Sequence, residues 1–188
     1  NGYAPEWAEE AARRGLPILP SMVDAIPALT TEKAVSLFEE FHVFTRAELE
    51  SRAEIQYEIY AKAINIEAKT MLDITTKQII PAVIKYTTVL AQSINTVRAA
   101  AAVDVSVQLS LLEKCSNRLA ETDKAMDVLA EAVAHIEDYP EGRERAVFCR
   151  EKVVKAMEEL RKPVDELEML VDKEMWPMPS YGDLIFEV

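Results

Sequence analysis

From Thr45 to about residue 102 the chain contains no glycine, and the only helix-breaking residue in that run is Pro81, in "QIIPAVIKY". Apolar residues keep a helical spacing on both sides of it, so the proline is expected to kink the helix rather than end it. At the rise of an α-helix such a run extends roughly 85 Å, far longer than an ordinary globular helix.

Two further long helices follow from the same kind of pattern. Asp104 or Ser106 opens the first, in which Leu112, Cys115, Leu119, Thr122, Met126, Leu129, Val133 and Ile136 alternate at spacings of three and four, the mark of a heptad seam. "DYPEG" makes a turn. The second repeats the alternation with Ala146, Cys149, Val153, Ala156, Leu160, Pro163, Leu167 and Leu170, and Pro163 is expected to kink or divide it. Long helices joined by short turns imply antiparallel neighbours. The predicted fold is all-α: an elongated antiparallel up-and-down helical bundle with long kinked helices, short N-terminal helices and an extended C-terminal tail.

The ends of the chain differ in character from its middle. Pro5 at a first-turn position and Gly15 as terminator frame a short helix, "EWAEEAARRG", with its acids first and its arginines last, as the helix dipole prefers. "LPILPSMVDAIPAL" holds three prolines and is expected to be irregular. Thr30 or Thr31 then caps "TEKAVSLFEEFH", and Thr45 starts the long run. In the tail, "WPMPSYGDLIFEV", the prolines argue against helix, while Trp176, Tyr181, Leu184, Ile185 and Phe186 concentrate apolar area. Such a segment is expected to dock on the folded protein or a neighbouring subunit, in a groove opened where Pro81 or Pro163 kinks a helix.

A chain of 188 residues is long enough to bury a core. Its 33 acidic and 21 basic residues give a formal charge of -12, which repels nucleic-acid backbones and anionic membrane surfaces. No window approaches the ~18 apolar residues of a membrane span, and the start "NGYAPEW" has no basic and apolar signal regions. That start, without a methionine, is expected to lie inside a longer chain. Cys115 and Cys149 fall at apolar helix positions, so they are predicted to be small buried hydrophobes in a reducing cytoplasm.

Signs of chemistry are sparse. Glu39 and His42 have Glu-x-x-His spacing, but a ferritin-like di-metal oxidase needs that motif twice, and the other histidine, His135, has Ala132 where the glutamate should be. The four glycines are isolated, and neither a zinc-spaced cysteine pair nor a Gly-x-Ser-x-Gly elbow is present. The segment is predicted to contain no catalytic, cofactor-binding or metal-ligating residue.

One polar line stands out. In "AEIQYEIYAKAINIEAKTM" one stripe carries Ile55, Ile59, Ala63 and Ile66, and a second carries Tyr57, Tyr60, Ala61, Ile64, Ala68 and Met71. Gln56 and Glu67 lie in the narrow strip between them, with Arg52 and Thr70 beside it. Either these groups satisfy one another or a basic residue of a neighbouring helix, or the strip faces a domain outside this chain.

At "ELESRAEIQYEIYAKAINIEAKTM", "IIPAVIKY" and the closing "WPMPSYGDLIFEV", the chain resembles the C-terminal region of type III glutamine synthetases, and "EWAEEAARRGLP" and "DAIPAL" resemble the stretch leading out of that family's catalytic domain. The resemblance implies a parent enzyme that joins ammonia to glutamate with ATP and Mg or Mn, assembled as a homo-oligomer of stacked hexameric rings. Its active site would lie in a β-grasp and a catalytic β-sheet domain that no segment here matches. Residues 1–44 would be linker and short helices leading from the catalytic domain, 45–175 the long-helix bundle, and 176–188 an extended docking tail. Arg52, Gln56, Glu67, Trp176, Tyr181 and Phe186 become the candidate interface residues toward the catalytic domain of the same chain or another subunit. The alternative is a free-standing helical module that binds partner helices through its seams.

Overall fold

The computed structural model describes residues 4–186; the outermost residues of the predicted leading segment and tail, 1–3 and 187–188, lie outside the described residues. The fold is an all-α bundle, with no strand among the described residues. The helices are α1 (Pro5–Arg13), α2 (Met22–Ala25), α3 (Glu32–Glu40), α4 (Arg46–Ile74), α5 (Ile80–Ala100), α6 (Ser106–Ala134), α7 (Arg143–Phe148), α8 (Lys155–Glu168) and α9 (Tyr181–Phe186). They form two compact units. The first comprises residues up to Ala63 with Tyr139–Arg150, the second Ile64–Asp138 with residues from Glu151 onward.

In the first unit, side-chain caps set the helix starts. Thr31 Oγ1 accepts the Ala34 N–H at 3.3 Å to open α3. Thr45 and Glu48 form a capping box for α4: the Thr45 N–H donates to Glu48 Oε2 at 2.8 Å and the Glu48 N–H to Thr45 Oγ1 at 3.4 Å. Arg46 reaches back to α3 with a two-pronged bond to Glu32, at 3.0 and 2.8 Å. Val23, Ile26, Ala53, Tyr57 and Ala146 form one core cluster, with Tyr60 and Val147 packed against it.

The segment expected to be irregular is partly helical. Ser21 accepts the Asp24 N–H at 3.2 Å and opens α2, and a 3-10 turn, Ile26–Thr30, follows directly. Pro17 and Pro20 precede the cap, and Pro27 takes an early position of the 3-10 turn, where its missing N–H leaves no bond unmade. Arg150, further along the chain, pairs with Asp24 and ties α2 in place.

In the second unit, α5 and α6 are joined by a short connector and pack along each other, so they run in opposite directions; α6 also packs along α8. The predicted seam of α6 is legible in its burial: Cys115, Thr122, Leu129 and Ile136, each seven residues from the next, are buried. Thr122 is tolerated there because its Oγ1 donates to the Arg118 carbonyl at 2.8 Å. Arg118 Nε also meets Glu166 Oε2 at 2.6 Å, linking α6 to α8. The last seam is buried through Val153, just before α8, and Ala156, Leu160, Pro163 and Leu167 within it.

The two prolines expected to kink their helices act differently. Before Pro81 the helix widens into a π-helical turn, Thr75–Ile79, and then continues as α5. Proline cannot donate to the carbonyl four residues earlier and its ring crowds that group, so a locally widened turn relieves the mismatch. Pro163 does not divide its helix: α8 runs through it unbroken. The carbonyl that loses a partner belongs to Glu159, an exposed residue whose backbone water can satisfy. A second π-helical turn falls at Cys149–Val154 instead.

The tail departs from the extended course predicted for it. Pro177 and Pro179 precede Ser180, which starts α9. Asp183 accepts from the Ser180 N–H and hydroxyl, both at 2.7 Å, and from Lys173 Nζ at 2.6 Å, while its own N–H donates to Ser180 Oγ at 3.3 Å. The prolines therefore fall outside the helix they were expected to forbid. The Lys173 and Ser180 bonds hold the Asp183 carboxyl down to about 2. With the folded value below the unfolded one, the cap is complete above the ordinary carboxylate range and is lost as pH falls toward the folded value. Titration of the Asp183 carboxyl carbon by NMR is expected to show this low midpoint, with the Ser180 amide shift moving in parallel.

Candidate interface surfaces

The first part of α4 buries one apolar stripe and exposes the other. Ala53, Tyr57 and Ala61 are buried, whereas Ile55 and Ile59 stay 49% and 51% exposed. Gln56 is half-buried beside them. Arg52 is exposed, and its guanidinium lies 4.2 Å over the Phe44 ring. In the second unit, α4 continues the arrangement: Ala68 is buried, Ile66 is 65% exposed, and Glu67 and Thr70 are exposed. The Thr70 hydroxyl donates back to the Ile66 carbonyl at 2.8 Å.

These positions show that Arg52 and Glu67 do not satisfy each other. Arg52 and Glu67 form no ion pair among the described residues, and neither needs one, because both are in contact with water. The unpartnered features are the isoleucines. In the first unit, exposed Ile55 and Ile59, one helical turn apart, mark a surface suited to contact; in the second, Ile66 is exposed likewise.

The tail divides in the same way. Trp176 is half-buried against the second unit's core cluster, which includes Ile79, Val83, Cys115, Leu167 and Val171. Its Nε1 is buried with no hydrogen-bond partner among the described residues. Beyond it Tyr181, Leu184, Ile185 and Phe186 are exposed, Tyr181 by 84% and Phe186 by 80%. A cleft of about 720 Å³ opens beside the π-helical turn, walled by Met71, Ile74, Ile79, Leu160, Val164 and the tail. Trp176 is thus the tail's anchor on this chain.

Chemically reactive groups are not brought together. Among the described residues no three His, Cys, Asp or Glu side chains are placed to hold a metal ion. Glu39 of the Glu-x-x-His spacing instead accepts the Arg46 N–H at 3.1 Å at the start of α4. His135 meets Asp138 at 2.6 Å, and that bond raises its pKa. Burial pushes both thiols up, Cys149 to about 11, which keeps them protonated at neutral pH. No described helix is long and apolar enough to cross a membrane.

Comparison with known proteins places this arrangement. A family model described as the glutamine synthetase C-terminal domain matches residues 1–98. Over 100% of its length the chain is 34% identical to a glutamine synthetase of Butyrivibrio fibrisolvens, covering 27% of that protein. Over 99% of its length it is 32% identical to a type-3 glutamine synthetase of Dictyostelium discoideum and 27% identical to a glutamine synthetase of Bacteroides fragilis (strain YCH46), covering 26% of each. The chain thus spans about a quarter of the length of the curated relatives it matches. By this family match the chain belongs to the glutamine synthetases, as their C-terminal helical domain.

Proposed function

We propose that the chain is a non-catalytic assembly domain of a type III glutamine synthetase, serving nitrogen metabolism in the cytoplasm. The parent enzyme would ligate ammonia to glutamate using ATP, with Mg or Mn, in catalytic domains supplied by the rest of the chain. The observation that carries this reading is that nearly the whole of this chain is matched while it covers only about a quarter of each relative. The exposed isoleucines of α4 support it, because a domain that works beside others needs an apolar contact surface.

The catalytic domain of the same chain and neighbouring subunits of a ring-shaped homo-oligomer are the partners in this reading. Arg52, Gln56 and Glu67 would hydrogen-bond around the isoleucine stripe and Tyr181 and Phe186 would add apolar area. Two results test it. The chain alone, given ATP, glutamate, ammonia and Mg, is expected to form no glutamine, and measurable product would refute the non-catalytic role. In the full-length enzyme, Ile55→Lys with Ile59→Lys is expected to shift sedimentation from the large assembly to smaller species while circular dichroism stays unchanged. Retention of the full assembly by that variant would remove α4 from the contact.

A further inference from the structure

The first unit contains a second cleft, of about 750 Å³, that the assembly role leaves without a purpose. Its size lies in the range of small-molecule sites, but its walls are charged. Glu50 and Glu54 enter it one helical turn apart on α4, with Ser51 between them, and Arg143 enters from the start of α7. Thr30 and Tyr57 complete the polar lining.

The charges in this cleft are not matched to one another. Neither Glu54 nor Arg143 makes an ion pair or a side-chain hydrogen bond among the described residues, in contrast to Arg46, Arg118, Arg145 and Arg150, which are all paired. Glu50 and Glu54 are like charges at i,i+4, a spacing at which carboxylates repel each other and a cation placed between them is favoured. Glu54 and Arg143 nevertheless address the same point. Tyr57 is buried except for 4% of its surface, and burial raises its phenol pKa, with Arg143 opposing and Glu54 adding to the shift. Both charges line the cleft beside Tyr57, and no ion pair joins them among the described residues. Glu54 Oε2 lies where a Cβ on Gly142 would stand, so the glycine leaves room for the carboxylate against the backbone beside Arg143.

We propose that this cleft binds a small, net-neutral zwitterion of the α-amino-acid type, its carboxylate on the Arg143 guanidinium and its ammonium between Glu50 and Glu54. A guanidinium suits a carboxylate because it offers two parallel donors, and two carboxylates suit an ammonium with three. The hydroxyls of Tyr57 and Ser51, and the accepting side of the Thr30 hydroxyl, whose proton goes to the Pro27 carbonyl at 3.3 Å, are left for a polar, uncharged side chain. Two carboxylates against one guanidinium give the cleft a net charge of -1, so an amino acid with an acidic side chain is rejected by charge. Ligand binding in this cleft is independent of the assembly role.

Isothermal titration calorimetry of the 188-residue chain tests it, with L-glutamine as the probe. Saturable one-to-one binding is expected. N-acetyl-L-glutamine, which lacks the cation, L-glutamine amide, which lacks the anion, and L-glutamate, which adds a second anion, are each expected to bind about tenfold or more weakly. Arg143→Ala and Glu54→Gln are expected to weaken L-glutamine to the same degree with circular dichroism unchanged, and the exposed control Lys155→Ala to leave it as it was. Absence of saturable binding by L-glutamine overturns the proposal, as does equal binding of any of the three analogues. The analogue series uses the unaltered chain, so it decides the matter even if a variant fails to fold.

Discussion

Replacing Leu167 with alanine is expected to destabilise the second unit by about 3 kcal/mol, the middle of the range for large-to-small substitutions at closed sites. Leu167 is fully buried on α8 and packs in one cluster with Ile79, Val83, Cys115 and Val171, residues drawn from the π-helical turn, α5, α6 and the segment after α8. A cavity there is bordered by several rigid helices, none of which can move in without losing its own seam contacts, so little of the lost packing is recovered. The two tryptophans make the measurement local: Trp7 belongs to the first unit and Trp176 packs on this cluster. Urea unfolding followed by fluorescence in a Trp7→Phe background then reports the second unit alone, which matters because two units need not unfold in one step. A loss below about 1 kcal/mol would mean that the cluster closes around the gap.

Gly142→Ala carries the second large effect, and it acts through the backbone. Gly142 has φ 92° and ψ -141°, a combination that side-chain-bearing residues avoid, at a cost of about 2 kcal/mol or more. The new methyl would also strike Glu54 Oε2. These two penalties separate in a double variant: Glu54→Ala clears the collision but leaves the strain, so Gly142→Ala with Glu54→Ala is expected to keep most of the loss. Gly15 provides the contrast, because it has φ 70° and a methyl placed on it would meet nothing within 4 Å, and its alanine variant is expected to cost only about 1 kcal/mol. Hydrogen exchange of the α7 amides reads the result directly, since the strain lies at the residue from which that helix starts. Unchanged protection of α7 in Gly142→Ala would show that the turn adopts another conformation at little cost.

The features legible in the residues alone are those written within a few positions of one another. The caps at Thr31 and Thr45, the start of α6 and the seven-residue recurrence of Cys115, Thr122, Leu129 and Ile136 could all be read because each depends on neighbours along one helix. The two helices not anticipated, α2 and α9, carried the same kind of signal in Ser21-x-x-Asp24 and Ser180-x-x-Asp183, overshadowed by prolines that fall before the caps or at harmless positions. Which stripe of α4 is covered emerged only on folding, because periodicity specifies that a face is apolar and not whether another helix lies on it; Tyr57 and Ala68 found partners while Ile55, Ile59 and Ile66 did not. Likewise, nothing local joins Arg143 to Glu50 and Glu54, which the fold brings to one cleft from distant parts of the chain. Caps and seams are short-range interactions repeated along one helix, whereas the pairing of faces is settled by packing between residues far apart in sequence, where no local pattern records the outcome.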